Sequence, residues 1–292
     1  MKVLVLGGTG FVGLAIVNKL INTGINVARI VRSRKISDSK FKDYVGDITD
    51  VKSLESAIKD FKPEVIINSV GILKESKNVT FDNLIVKANE DLVKLARANE
   101  VKRIIYISAI GANEKGLTKY FVTKALAENI IIDSGLEYTI FRPSLIFGKD
   151  AGFTNQFVGL LKLLPFSPII GNGKYTFAPV AIETLSECVA QSILKTKSSK
   201  RIYDVVGPET LSLFEIIIRL KQSLGVKRPN VFIPMFFMRL IARFGDLKLP
   251  IPINSDQLKM LEIGSIGDST KLKDDFNFKE IVFDPKGKYP LY

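Results

Sequence analysis

The chain has no histidine and one cysteine, Cys188, in 292 residues. A lone thiol excludes an intrachain disulfide. The missing imidazole removes the commonest metal ligand and the commonest general base. Zinc chemistry and Ser-His-Asp hydrolysis are thereby excluded, and no metal site is expected. Acid–base work near neutral pH falls to Tyr, Lys, Asp, Glu or Cys188. Long apolar runs are missing as well. The richest stretch, "VFIPMFFMRLIARF" (231–244), is interrupted by Pro234, Arg239 and Arg243. A membrane-spanning helix needs about 20 mainly apolar residues. Glycines break the amino-terminal "MKVLVLGGTG", which therefore does not read as a signal peptide. The expected setting is cytoplasmic, or peripheral to a membrane.

A basic arm is also missing. The net charge is +12, from 42 basic and 30 acidic residues. Residues 1–150 hold 23 and 17 of these and the remainder 19 and 13, so each part carries +6. Nucleic-acid binders concentrate their cations on one stripe. Evenly spread charge favours solubility and anionic small ligands, and no nucleic-acid partner is expected.

Present throughout the first half is an alternation of short β-rich runs and helical patterns. "KVLVL" (2–6), "NVARIV" (26–31), "EVIIN" (64–68), "RIIYIS" (103–108) and "EYTIFR" (137–142) read as strands. The intervening segments 11–23, 51–61, 80–100 and 118–134 read as helices, with Thr80 as an N-cap and Gly135 as a stop. The strands are apolar throughout, as buried parallel strands are. The fold class is therefore α/β, a doubly wound parallel sheet with a smaller interleaved C-terminal α+β lobe. After about residue 150 the pattern loosens. "PIIGNGKYTFAP" (168–179) suggests a hairpin, 184–197 a helix and 201–206 a strand. Residues 208–292 carry seven of the twelve prolines.

"GGTGFVG" (Gly7, Gly8, Thr9, Gly10, Phe11, Val12, Gly13) directly follows the first strand and opens the first helix. Glycine permits positive φ and close backbone approach to a pyrophosphate, and the helix start offers N–H groups to it. This strand–turn–helix context marks a dinucleotide site. An NAD-type site places an acid at the end of the second strand. Here Arg32, Ser33 and Arg34 stand there. A guanidinium attracts a 2′-phosphate, so NADP(H) is favoured over NAD(H). Asp47 and Ile48 in "GDITD" are placed to hold adenine. Asn68, Ser69, Val70 and Gly71 end the fourth strand, at the carboxyl edge where such sheets bind ligands. The expected domains are a dinucleotide-binding domain over 1–150, also receiving parts of about 178–206, and a substrate or partner lobe over 151–292.

"GGTGFVG", "GDITD", "NSVGIL", "YISAIGA", "YFVTK" and "FRPSLIFG" occur in the order of the short-chain dehydrogenase/reductase superfamily. The chain resembles its extended and atypical, epimerase/dehydratase-like branch. It is most similar to the group around the NADPH-binding accessory subunit of respiratory complex I. The match covers 1–150 well, 151–210 loosely and the rest thinly. The resemblance implies a catalytic set of Ser108, Tyr120 and Lys124, with Asn89 as a fourth member, and cofactor contacts from Pro143 and Ser144. It departs at Ile182-Glu183-Thr184, where relatives usually carry an aspartate.

Tyr120 and Lys124, four apart, share a helix face. A neighbouring ammonium is expected to lower the phenol's pKa from its usual value near 10. The expected chemistry is hydride transfer on a carbonyl or hydroxyl substrate, or sugar-nucleotide epimerase/dehydratase-type chemistry. The alternative is a non-catalytic NADP(H)-binding subunit or sensor that stabilises a respiratory or quinone-related assembly. A small-molecule substrate, a membrane-surface or respiratory-complex partner, and a monomer or homodimer are expected accordingly. The helix 234–246 reads as packed over a substrate cleft, with a membrane-surface contact as the sharper reading.

Overall fold

The computed structural model describes residues 1–33, 41–247 and 253–285. The chain divides into two units. The first comprises Met1–Pro143, Glu183–Asp204 and Ser269–Phe278, and the second comprises Ser144–Ile182, Val205–Asp268 and Lys279–Tyr292. The chain thus returns to the first unit twice. The second return, 269–278, has no counterpart in the domain boundaries expected from sequence.

The first unit is built on a seven-stranded sheet. Its strands include β1 (Lys2–Leu6), β2 (Asn26–Val31), β3 (Lys42–Val45), β4 (Val65–Asn68), β5 (Arg103–Ile107) and β6 (Glu137–Pro143). With strand Arg201–Val205 at one edge, the order runs Arg201–Val205, β6, β5, β4, β1, β2, β3. The registers between β1 and β6 are all parallel. Parallel neighbours need crossovers, and the helices α1 (Phe11–Asn22), α2 (Val51–Phe61), α3 (Ala88–Ala98) and α4 (Lys119–Ile132) supply them. The order reverses between β1 and β4, so the chain leaves those two strands in opposite directions. The crevice this opens at their carboxyl ends is where doubly wound sheets bind ligands.

Local sequence explains the helix starts. Asp50 caps α2 by accepting from Lys52 N–H, and Thr118 caps α4 by accepting from Phe121 N–H. Thr80 Oγ1 accepts from Asn83 N–H, as an N-cap should. The segment after it is not one continuous α-helix, however. Asp82–Lys87 is π-helical and α3 begins only at Ala88. A π turn carries one extra residue, which rotates everything after it relative to an unbroken α-helix. Asn89, two residues past the π turn, is 1% exposed.

Two buried side chains interrupt the apolar strands. Arg29 in β2 pairs with Asp43 in β3, at 2.5 and 3.0 Å, and lies over the Phe41 ring. Arg103 in β5 donates to the Ser192 carbonyl at 2.8 Å and to Ser198 Oγ at 2.7 Å. Each cation is buried with acceptors, which limits its desolvation cost.

The second unit has its own core, in which Phe147, Phe157, Leu161, Ile169, Ile217 and Phe283 are among the buried side chains. The hairpin expected at 168–179 does not form. Ser167–Ile170 pairs in parallel with Asn230–Ile233, and Thr176–Phe177 pairs antiparallel with Leu211–Ser212. Gly171 and Gly173, both at positive φ, make the turn between them, but its two arms find separate partners.

Candidate functional site

The glycine loop sits at the switch point. Gly7 leaves β1 at φ +77°, and Gly10 N–H donates back to the Gly7 carbonyl at 2.9 Å. A Cβ on Gly13 would overlap that carbonyl and stand 2.6 Å from Ser69 Oγ. A Cβ on Gly7 would stand 2.9 Å from the same hydroxyl. Ser69, at the end of β4, donates to the Leu6 carbonyl at 2.7 Å and so seals the loop against the strand. Gly10 differs: a Cβ there would meet only the Gly7 carbonyl, at 3.4 Å. Space therefore opens above Gly10, where α1 begins with no side-chain cap and no acid in its first turn. Thr9 and Gly10 are exposed, while Phe11 and Val12 are half-buried. An uncapped helix start beside open space suits an anion.

The next residues form a connected floor. Asn68 donates to Asn89 Oδ1 at 2.9 Å and accepts from Val70 N–H at 3.0 Å. Asn89 donates to the Ile85 carbonyl at 2.6 Å, within the π turn. Gly71 comes against Lys124, whose Nζ would lie 3.6 Å from a Cβ at that position. Lys124 Nζ donates to the Ile107 carbonyl at 2.8 Å and lies over the Tyr106 ring. Ser108 follows directly, anchored by its N–H to the Phe141 carbonyl at 2.7 Å. Glycine loop, Asn68–Gly71, Asn89, Ser108, Tyr120 and Lys124 thus belong to the carboxyl end of one sheet.

The electrostatics are not those expected from the Tyr–Lys spacing. Tyr120 is 7% exposed, ringed by Phe81 and Phe121 at centroid distances of 5.7 and 5.6 Å. Burial pushes its phenol well above the ordinary value, where lowering by Lys124 was expected. Lys124 moves the opposite way. Burial brings its amine down to about 7, partly offset by Glu128 one turn along the helix. Glu128 is itself buried and takes a bidentate pair from Arg142 of β6. Ser108 Oγ and Tyr106 Oη are buried with no hydrogen-bond partner among the described residues. Orphaned buried hydroxyls are uncommon, and one in the candidate set fits a group that accepts or donates there.

The remaining candidates are placed unevenly. Arg32 and Ser33 follow β2 and are exposed; Arg34 lies outside the described residues. Ile48 is buried, and Asp47 accepts from Thr49 N–H and Oγ1 at 2.9 and 2.7 Å. The Pro143 carbonyl accepts from Ile110 N–H at 3.0 Å. Ser144 belongs to the second unit, and its hydroxyl donates to the Ser265 carbonyl at 2.7 Å.

Sequence reasoning missed Arg29, Tyr106, Glu128 and Arg142. Arg29 Nη1 lies 3.4 Å from the Gly8 carbonyl, beneath the loop. An arginine in an apolar strand and a glutamate four residues after Lys124 were the available signals.

Residues 7–159 match the model of the NAD(P)H-binding family. The chain belongs to that family. This NAD(P)H-binding chain is 26% identical over 305 residues to the mitochondrial NADH dehydrogenase (ubiquinone) 1 alpha subcomplex subunit 9 of Arabidopsis thaliana, covering 98% of the chain and 75% of that protein. It is 23% identical over 260 residues to the mitochondrial NADH-ubiquinone oxidoreductase 40 kDa subunit of Neurospora crassa, covering 86% and 68%. Among solved structures it is similar to the UDP-glucose 4-epimerase of Thermotoga maritima, with a TM-score of 0.74, 20% identity and coverage of 94% and 92%. The shared fold is the doubly wound α/β architecture described above. Among the described residues, no helix is long and apolar enough to cross a membrane.

Proposed function

We propose that this chain holds NADP(H) at the β1/β4 switch point as a retained ligand, and that its role is that of a non-catalytic subunit that stabilises a respiratory assembly. The observation that carries the first part is the open space above Gly10 beside a sealed Gly7–Gly13–Ser69 turn. Gly7 to Gly13 would take the pyrophosphate. Arg32, Ser33 and Arg34 would take the 2′-phosphate, and Asp47 and Ile48 the adenine. Asn68 to Gly71, Asn89 and Pro143 would line the rest. The first unit is then the nucleotide-binding domain and the second the partner lobe. The two relatives described above, both named as subunits of NADH dehydrogenase or oxidoreductase, support the second part. So does the deep burial of Tyr120, which favours a neutral phenol over a working base.

A second reading has its own support. Ser108, Tyr120 and Lys124 are all present, and the Ser108 hydroxyl is orphaned. In that reading the nicotinamide would supply or accept hydride. Ser108 would hold a substrate oxygen, Tyr120 would move its proton, and Lys124 would orient the ribose. Tyr120→Phe separates the two. If NADPH oxidation with a carbonyl substrate is measurable and the variant abolishes it, the chain is an enzyme. If the variant still binds NADPH and still supports its assembly in cells, the retained-ligand reading stands. Arg32→Asp tests the cofactor preference: the ratio of NADPH to NADH affinity should fall by at least tenfold, and an unchanged ratio removes Arg32 from the assignment.

A further inference from the structure

The helix Met235–Asp246 has two apolar faces, and the fold uses one. Met238, Ala242 and Gly245 are buried, and they lie on one side at helical spacing. On the other side Phe236, Phe237, Leu240, Ile241, Phe244 and Leu247 are between 40 and 72% exposed. At 100° per residue these six span an arc of about 140°, centred away from the buried stripe. Arg239 and Arg243 stand along one border of that arc. Phe232, on the strand leading into the helix, is half-exposed as well. Scattered exposed apolar residues are ordinary, whereas a contiguous band of this kind marks an interaction surface.

Charge says what covers it. Between Glu215 and Asp246 the chain carries Arg219, Lys221, Lys227, Arg228, Arg239 and Arg243 and no acidic residue. Arg219 pairs with Glu209, Arg228 donates to backbone carbonyls, and Arg239 pairs with Glu262 at 2.8 Å. Lys227 and Arg243 are exposed, with no ion pair among the described residues. A phenylalanine-rich band bordered by the unneutralised Arg243 matches an anionic lipid surface, with rings in the acyl boundary and the guanidinium at the headgroups. A second copy would set the same cations against each other. At twelve residues the helix is about 18 Å long, enough to lie in the interface and too short to span it. We infer that the helix Met235–Asp246 docks the chain on an anionic lipid surface. None of its residues belongs to the nucleotide-binding unit, so the inference stands independently of the cofactor.

The test is co-sedimentation of the full chain with vesicles of phosphatidylcholine alone or of equimolar phosphatidylcholine and phosphatidylglycerol. The wild type is expected to bind the anionic vesicles and to be released as salt rises from about 0.1 to about 1 M. Phe236→Ser with Phe244→Ser should lower partitioning at least tenfold. Arg243→Ala should lower it about fivefold, the effect of ~1 kcal/mol per basic residue near such a surface. Melting temperatures unchanged from wild type show that the variants are folded. Absence of binding, or binding that the variants leave intact, overturns the inference. So does a wild-type dimer that ignores vesicles and that the phenylalanine variant splits, because the face then joins two copies.

Discussion

Two glycines of one loop carry different constraints, and this separates folding from binding. At Gly13 an added methyl would overlap the Gly7 carbonyl, which is backbone and cannot yield. Gly13→Ala is expected to cost about 1–3 kcal/mol in stability and also to weaken nucleotide binding. At Gly10 the backbone is extended, φ −80° and ψ 168°, and a Cβ would meet only the Gly7 carbonyl at 3.4 Å, so the loop itself does not require glycine there. Gly10→Val should melt like the wild type without ligand and fail to bind NADPH. Lys124 gives a pH prediction. Its amine titrates near 7 in the fold against 10.5 in the unfolded chain. Between these values the unfolded state holds the extra proton, so stability rises with pH across the window and the penalty is fully present below it. Lys124→Met should therefore stabilise more at pH 6 than at pH 10; an advantage that grows with pH would contradict the assignment. None of this was visible in "YFVTK", because spacing gives a shared face and says nothing of how deeply that face is buried.

At the level of elements, α4 is tied to β6 by Glu128 and Arg142. Glu128 is 2% exposed and its partner half-buried. Arg142→Ala leaves a buried carboxylate without its cation and should cost about 2–3 kcal/mol by denaturant unfolding. Arg142→Ala combined with Glu128→Ala should cost less than the sum of the two single changes. Strand and helix positions in the first unit were legible in the sequence because alternation of periods, caps and glycine stops all agreed there. The π turn at Asp82–Lys87 was not, since its residues have ordinary helical composition and only packing sets the extra residue. The false hairpin at 168–179 has a similar cause. Gly171 and Gly173 correctly mark a turn, but which strand each arm pairs with depends on segments 34 to 63 residues away in sequence.

The whole molecule joins a nucleotide-binding unit, legible from one glycine motif in its strand–helix context, to a second unit whose sequence carries no such signal. Ligand binding to the native state alone stabilises by mass action, about 2.7 kcal/mol at a hundredfold excess over Kd. NADPH should therefore raise the melting temperature, and NADH at the same concentration should raise it less. The most direct measurement is isothermal titration of NADPH into the wild type and Gly10→Val, alongside their ligand-free melting curves. The account predicts saturable one-to-one binding to the wild type, none to Gly10→Val, and superimposable melting curves. A wild type that does not bind, or a folded Gly10→Val that binds as the wild type does, would contradict it.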